Sequence, residues 1–187
     1  MATGRLAGRD HAEIRIGGFG GQGIILAGSI LGRALAVHAG RNAVMSESYG
    51  PESRGGACVA EIIAADGEIA YPRVVSPDVL VLMSQQAYDK YAPGRPPGSL
   101  LIVDEDLVDL GDEPPPDVLR AQATKIAEEL GRRIVANIVM LGFLVGATGI
   151  VDIELLRDAV AASVPRGTVD LNLAAVDAGY EQAVAAR

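Results

Sequence analysis

Two rhythms of apolar and polar positions run along the chain. Short continuous apolar runs are bounded by turn residues, and between them lie stretches whose apolar positions recur three and four residues apart. The first kind reads as buried strands and the second as helices. Ile14–Ile16 starts a strand, and 17–23 is a glycine-rich turn. Ile24, Ala27, Leu31, Ala34, Leu35 and His38 mark one face of a helix from Gln22 to about His38, with Gly40 as its stop. Ala43–Ser46 is a second strand, and Ala57–Ala64 with Glu68–Tyr71 reads as a hairpin around Asp66-Gly67. Asp78–Met83 and Ser99–Asp104 are buried strands, with a short helix over Ser84–Tyr91.

The C-terminal half is mostly helical. Asp117–Leu130 reads as a helix capped by Asp117 and stopped at Gly131, and Arg133–Ala136 as a last short strand. Asn137–Gly149 is an apolar helix with small residues suited to close packing. Two amphipathic helices finish the chain. Asp152 caps the first, and Leu173, Val176, Tyr180 and Val184 stripe the second. Alternating strands and helices predict an α/β fold: a single Rossmann-like domain over 14–187 with a mixed, mostly parallel sheet, after a frayed tail over 1–13. The hairpin at 57–71 is what makes the sheet mixed.

Composition narrows the function. In 187 residues, 49% are hydrophobic and only 4% aromatic, so the core is built from Ala, Val, Leu and Ile. A net charge of −8 disfavours a broad nucleic-acid surface, but leaves room for one local phosphate pocket. Cys58 is the only cysteine, so the chain alone builds neither a disulfide nor a cysteine-ligated cluster, and a reducing cytoplasm is the expected setting. No apolar stretch reaches a membrane span, and the N-terminus lacks the apolar middle of a signal peptide. His11 sits in the tail and His38 at a helix end, and no catalytic residue is recognisable.

The glycine turn carries the first candidate chemistry. Residues 15–28, RIGGFGGQGIILAG, hold six glycines. Gly18, Gly20 and Gly23 match G-x-G-x-x-G after a strand and at a helix start, where backbone approaches a ligand and free N–H groups meet a phosphate. A tight crossover that binds nothing accounts for the same glycines. A nicotinamide dinucleotide reading wants an acid at the end of the second strand. Glu47 sits there, 24 residues after Gly23, but Ser48-Tyr49-Gly50-Pro51 follows it at once and is unusual for a simple cofactor loop.

That second loop, SYGPESRGG at 48–56, together with GGQG at 20–23, resembles the gamma subunit of the 2-oxoacid:ferredoxin oxidoreductases, which is also the gamma domain of pyruvate:ferredoxin oxidoreductase. The resemblance continues through NIVMLGFLVGATGIVDIELLRDAV (137–160) and VDLNLAAVDAGYEQA (169–183). The loop looks most like that of the 2-oxoglutarate and other multi-subunit enzymes. The resemblance implies a non-catalytic subunit of a complex that oxidatively decarboxylates a 2-oxoacid to its acyl-CoA. Thiamine diphosphate, Mg and 4Fe-4S clusters are then expected in alpha, beta and iron–sulfur partner chains, with ferredoxin, or a flavin/NAD subunit, as acceptor. This chain has neither a GDG-type thiamine motif nor a cluster motif, in keeping with that division. The resemblance also gives the glycine turn a ligand, a phosphate of coenzyme A, with Gly18, Gly20, Gly21, Gln22, Gly23 and Arg54 as its candidate residues and Arg41 as a further cation. Two alternatives stand beside it. Arg54 pairs with Glu47 or Glu52, or the loop docks the alpha subunit through Tyr49. A stand-alone NAD(P)-binding oxidoreductase and a purely structural subunit are the competing functions.

Overall fold

The computed structural model describes residues 4–49 and 57–186. Six strands form one sheet: β1 (His11–Phe19), β2 (Asn42–Tyr49), β3 (Ala57–Ala65), β4 (Val79–Leu82), β5 (Leu100–Asp104) and β6 (Val118–Ala121). Their order across the sheet is β2-β3-β1-β4-β5-β6. β1, β4, β5 and β6 run parallel, while β3 lies antiparallel between β1 and β2. The expected α/β architecture with a mixed, mostly parallel sheet is therefore present.

The cause of the mixing differs from the expected hairpin. β3 is paired with β1 on one side and β2 on the other, so Glu68–Tyr71 finds no free edge on β3 to form the hairpin and stays outside the sheet.

Alternation along each strand sends side chains to two faces. Ile14 and Ile16 of β1, with Val79, Val81 and Ile102, meet the main core under α1 (Ile24–Arg33), α3 (Ala123–Glu129), α4 (Ala136–Thr148), α5 (Ile153–Ala161) and α6 (Val169–Ala185). Leu80, Leu82, Leu101 and Val103 face the other way, under α2 (Gln85–Tyr91). Ser84 caps α2, its hydroxyl accepting from the Ala87 N–H, and Asp152 caps α5 in the same manner. Gly40, at φ 67°, ends the first helix after a wider turn over Ala34–His38, with His38 at its end as expected.

α4 is the centre of the molecule. Twelve of its thirteen residues are buried, so it has no amphipathic face. It crosses α6 at small residues: a methyl group on Gly142 would fall on the Val176 carbonyl, and one on Gly179 on the Val139 carbonyl. The buried face of α6 is accordingly Asn172, Ala175, Val176, Gly179 and Ala183. The stripe expected from apolar size is displaced, and Val184 is 44% exposed.

Three further expectations are corrected. Asp117 caps no helix; it pairs with Arg95, and Val118–Ala121 adds to β5 as the sheet's last strand, because ladder pairing outweighs a local helical period. Arg133–Ala136 is a single tight turn leading into α4, not a strand. The tail is docked from Gly4 onward. Leu6 is buried, its N–H donates to the Thr148 carbonyl at 2.8 Å, and Arg9 pairs with Asp78.

Candidate functional site

β1 hands its chain to α1 and the β2/β3 side of the sheet, while β4 hands its chain to α2 and the β5 side. The point where the winding reverses lies between the carboxyl ends of β1 and β4, the place where open α/β sheets bind ligands. The glycine turn sits there. A cleft of about 600 Å³ opens beside it, lined by Phe19, Gln22, Met83, Leu107, Arg133 and Ile134 among others. A smaller cleft of about 270 Å³ opens on its other side and shares Gly21 and Ile134 with the first.

The candidate glycines divide into two pairs. Gly18 is closely packed: a methyl group there would come within 2.5–2.8 Å of Ile24 and Gln22. Gly23, at φ 73°, forms the left-handed start of α1, and its carbonyl accepts from Asn137 Nδ2 at 3.1 Å. Gly20 and Gly21 instead face open space, and Gly21, at φ 103°, has a backbone only glycine adopts freely. No side chain caps α1, so its first N–H groups have no partner from a cap.

Gln22 is a strut. Its Oε1 accepts from the Phe19 N–H at 2.7 Å, and its Nε2 donates to the Met83 carbonyl at 2.7 Å. One amide thereby closes the glycine turn and ties it to the end of β4. Each of its polar atoms makes one hydrogen bond within the chain, so it shapes the site.

Asp104 supports the far wall. It is fully buried at the end of β5, where it accepts from the Thr124 hydroxyl at 2.7 Å and from the N–H groups of Thr124 and Asp106. Burial pushes its carboxyl above the ordinary range, opposed by those hydrogen bonds.

The other candidates fall in different places. Arg41 lies at the opposite end of the sheet, bound to Asp66 and to the Arg9 carbonyl, and cannot reach the turn. Arg54 lies outside the described residues. The strands that flank its loop end beside the turn, since Tyr49 pairs with Cys58 and Cys58 with Gly18. Glu47 is on the edge strand with β3 between it and β1, so it does not occupy the ribose-binding position of a dinucleotide fold. Cys58 is buried, and burial followed by Glu47 raises its thiol pKa, which suits a packing role. Arg133 and Ile134 were not among the sequence candidates. Their signal was the RRIV run after Gly131, which reads equally well as a strand. Ile134 is 74% exposed at the cleft mouth, and Arg133 lies 3.6 Å from Glu128.

The model of the pyruvate ferredoxin/flavodoxin oxidoreductase family matches residues 13–182. The chain belongs to this family. A 2-oxoglutarate synthase subunit KorC from Methanocaldococcus jannaschii is 52% identical to this oxidoreductase chain, over 91% of it and 93% of the relative. The gamma subunit of a keto/oxoacid ferredoxin oxidoreductase from Geobacter sulfurreducens is 42% identical, with a TM-score of 0.83 over 94% of this chain and 98% of that one. The gamma-subunit resemblance read from the two loops is thus borne out, and the stand-alone dehydrogenase reading falls. A 2-oxoglutarate:ferredoxin oxidoreductase from Magnetococcus marinus, solved with 2-oxoglutarate, coenzyme A and succinyl-CoA bound, shares the fold at a TM-score of 0.84. Its identity is 24%, over 95% of this chain and 32% of that one. No helix among the described residues is long and apolar enough to cross a membrane.

Proposed function

We propose that this chain is the gamma subunit of a 2-oxoacid:ferredoxin oxidoreductase of the 2-oxoglutarate type, and that its glycine turn holds a phosphate of coenzyme A. The observation that carries the first half is the match to KorC subunits at 49–52% identity over at least nine-tenths of both chains. The second half is supported by a turn at the sheet's reversal point whose Gly20 and Gly21 leave open space. The Magnetococcus relative, of the same fold, carries coenzyme A.

In this reading the chain binds and orients, and its partners do the redox chemistry. Alpha, beta and iron–sulfur chains would hold thiamine diphosphate with Mg, which would supply decarboxylation of the oxoacid and passage of its acyl group to coenzyme A, and 4Fe-4S clusters, which would supply the route for the two electrons to ferredoxin. Gly20 and Gly21 bring backbone close to the phosphate, and the start of α1 supplies N–H groups and partial positive charge. Arg133 at the cleft and Arg54 in the loop are the proposed cations, as charge-assisted donors. The loop around Tyr49 and Arg54 seats the alpha chain beside the same end of the sheet.

The test is Gly20→Val in the assembled complex. Gly20 has open space around a β-carbon and no left-handed backbone, so the fold accommodates the change. Loss of one hydrogen bond to a charged group raises the Michaelis constant for coenzyme A about ten- to a hundredfold, with that for 2-oxoglutarate unchanged. An assembled variant with unaltered coenzyme A dependence makes this a structural subunit. Turnover by the isolated chain, or a complex that prefers another oxoacid, overturns the first half.

A further inference from the structure

The two edges of the sheet are built differently. β6 is four residues long, follows the prolines at 114–116 and carries the exposed Arg120. Shortness, proline and charge are the ordinary devices that keep a free edge from pairing with another chain. β2 is eight residues long, holds no proline and no base, and carries one charge, Glu47. Its register with β3 runs from Asn42 to Tyr49 without a bulge. In an antiparallel ladder every second residue turns its N–H and C=O away from the neighbouring strand. Among the described residues, only those of β3 bond the backbone of β2, so this second set of groups faces outward along an unbroken edge.

A cleft of about 440 Å³ opens at the start of that edge. Ala43, Val44 and Ile69 give it apolar walls, and Glu68 also lines it. Asn42 Nδ2 donates to the Gly67 carbonyl at 3.0 Å, which ties the segment after β3 to the strand. Glu68 in the cleft and Glu47 further along β2 are both exposed, and no described residue pairs with either. A row of backbone donors and acceptors, an apolar pocket beside it and unpaired charge are the parts of a strand-addition site. We infer that β2 takes an extended segment of a partner chain as a seventh strand of the sheet, one that sets an apolar side chain into the cleft and basic side chains towards Glu47 and Glu68. Charge decides against a second copy of this chain. β2 offers it no base, and Arg41, which precedes the strand, is held by Asp66 at 2.7 Å. Opposite charges across a strand pair stabilise it, and like charges oppose it. The inference rests on the reading of this chain as one subunit of a complex, and is independent of what the glycine turn binds.

The experiment follows amide hydrogen exchange, residue by residue over 42–49, in the full chain alone and in the purified complex. In the free chain every second amide of β2 exchanges fast. Assembly slows those amides about two- to tenfold, the worth of a neutral hydrogen bond, and leaves the alternate ones, already bonded to β3, as they were. Glu47→Lys combined with Glu68→Lys tests the charge. Both side chains are exposed, so the fold holds, while assembly weakens about three- to tenfold and loses salt dependence. A complex whose outward β2 amides exchange as in the free chain overturns the inference, as does a doubly substituted chain that assembles like the native one. A free chain that dimerises and already protects those amides overturns it in favour of a second copy. A chain that purifies without partners takes down the subunit reading too, whereas a complex with an unprotected β2 takes down the inference alone.

Discussion

Gln22 shows how much one side chain determines here. Its Nε2 donates to the Met83 carbonyl and its Oε1 accepts from Phe19, so only an amide satisfies both. Gln22→Glu replaces the donor with an oxygen. The carboxylate then meets a carbonyl, whereas the protonated acid still donates to it. The carboxyl is therefore held above its ordinary pKa in the folded state, and the variant's stability is lost as pH rises through that value. Above it the variant is about 1 kcal/mol less stable than the native chain, the worth of the lost hydrogen bond at this half-buried site, and below it the gap closes. Melting of both proteins from pH 4 to 8 checks this. A constant gap across the range would show that the amide does not bridge. Among the candidate residues, the glycines were legible because strand, turn and helix start leave a local signature. The separation of Gly20 and Gly21 from Gly18 and Gly23 was not, since it depends on Ile24 folding back and on Asn137, distant in sequence, arriving from α4.

At the scale of elements, α4 and α6 meet through glycine, and that contact fixes their spacing. Gly142→Ala places a methyl group against the Val176 carbonyl, which belongs to helix backbone and cannot rotate away. The expected loss is about 1–3 kcal/mol, as for an overpacked core, measured by denaturant unfolding. Gly32→Ala is the control: its surroundings are open, and it gains helix propensity. The helix over 137–149 was legible from its length and its glycine stop, and the caps at Ser84 and Asp152 from residue type. β6 was not legible. Val118-Leu119-Arg120-Ala121 continues into a helical period, and only the vacant edge of β5 makes it a strand. The turn at Arg133–Val135 was lost for the opposite reason, its β-branched residues looking extended where the entry to α4 requires a turn.

Over the whole molecule, the N-terminal segment belongs to the fold. Leu6 is 2% exposed, Gly4 packs against the end of α4, and Arg5 donates to the Gly98 carbonyl. Leu6→Ala is expected to lower stability by about 2–5 kcal/mol, the range for a buried leucine. Calorimetry of the purified chain measures it. A change within about 0.5 kcal/mol, as for surface sites, would return the segment to the status of a tail. Sequence gave this segment no regular period, so its burial was visible only once α4 had been put in place.

The position of α6 bears on how the protein is made. A ribosome delivers the sheet and α4 first, at about 5–20 residues per second. The side of α4 that receives Ala175, Val176, Gly179 and Ala183 stays bare until the seventeen-residue α6 has emerged. The nascent domain must therefore wait, with a glycine-lined apolar groove open to solvent, until that helix arrives. A premature stop anywhere in that helix leaves a full sheet with an uncovered heart, a product for holding chaperones and proteases instead of for partner chains.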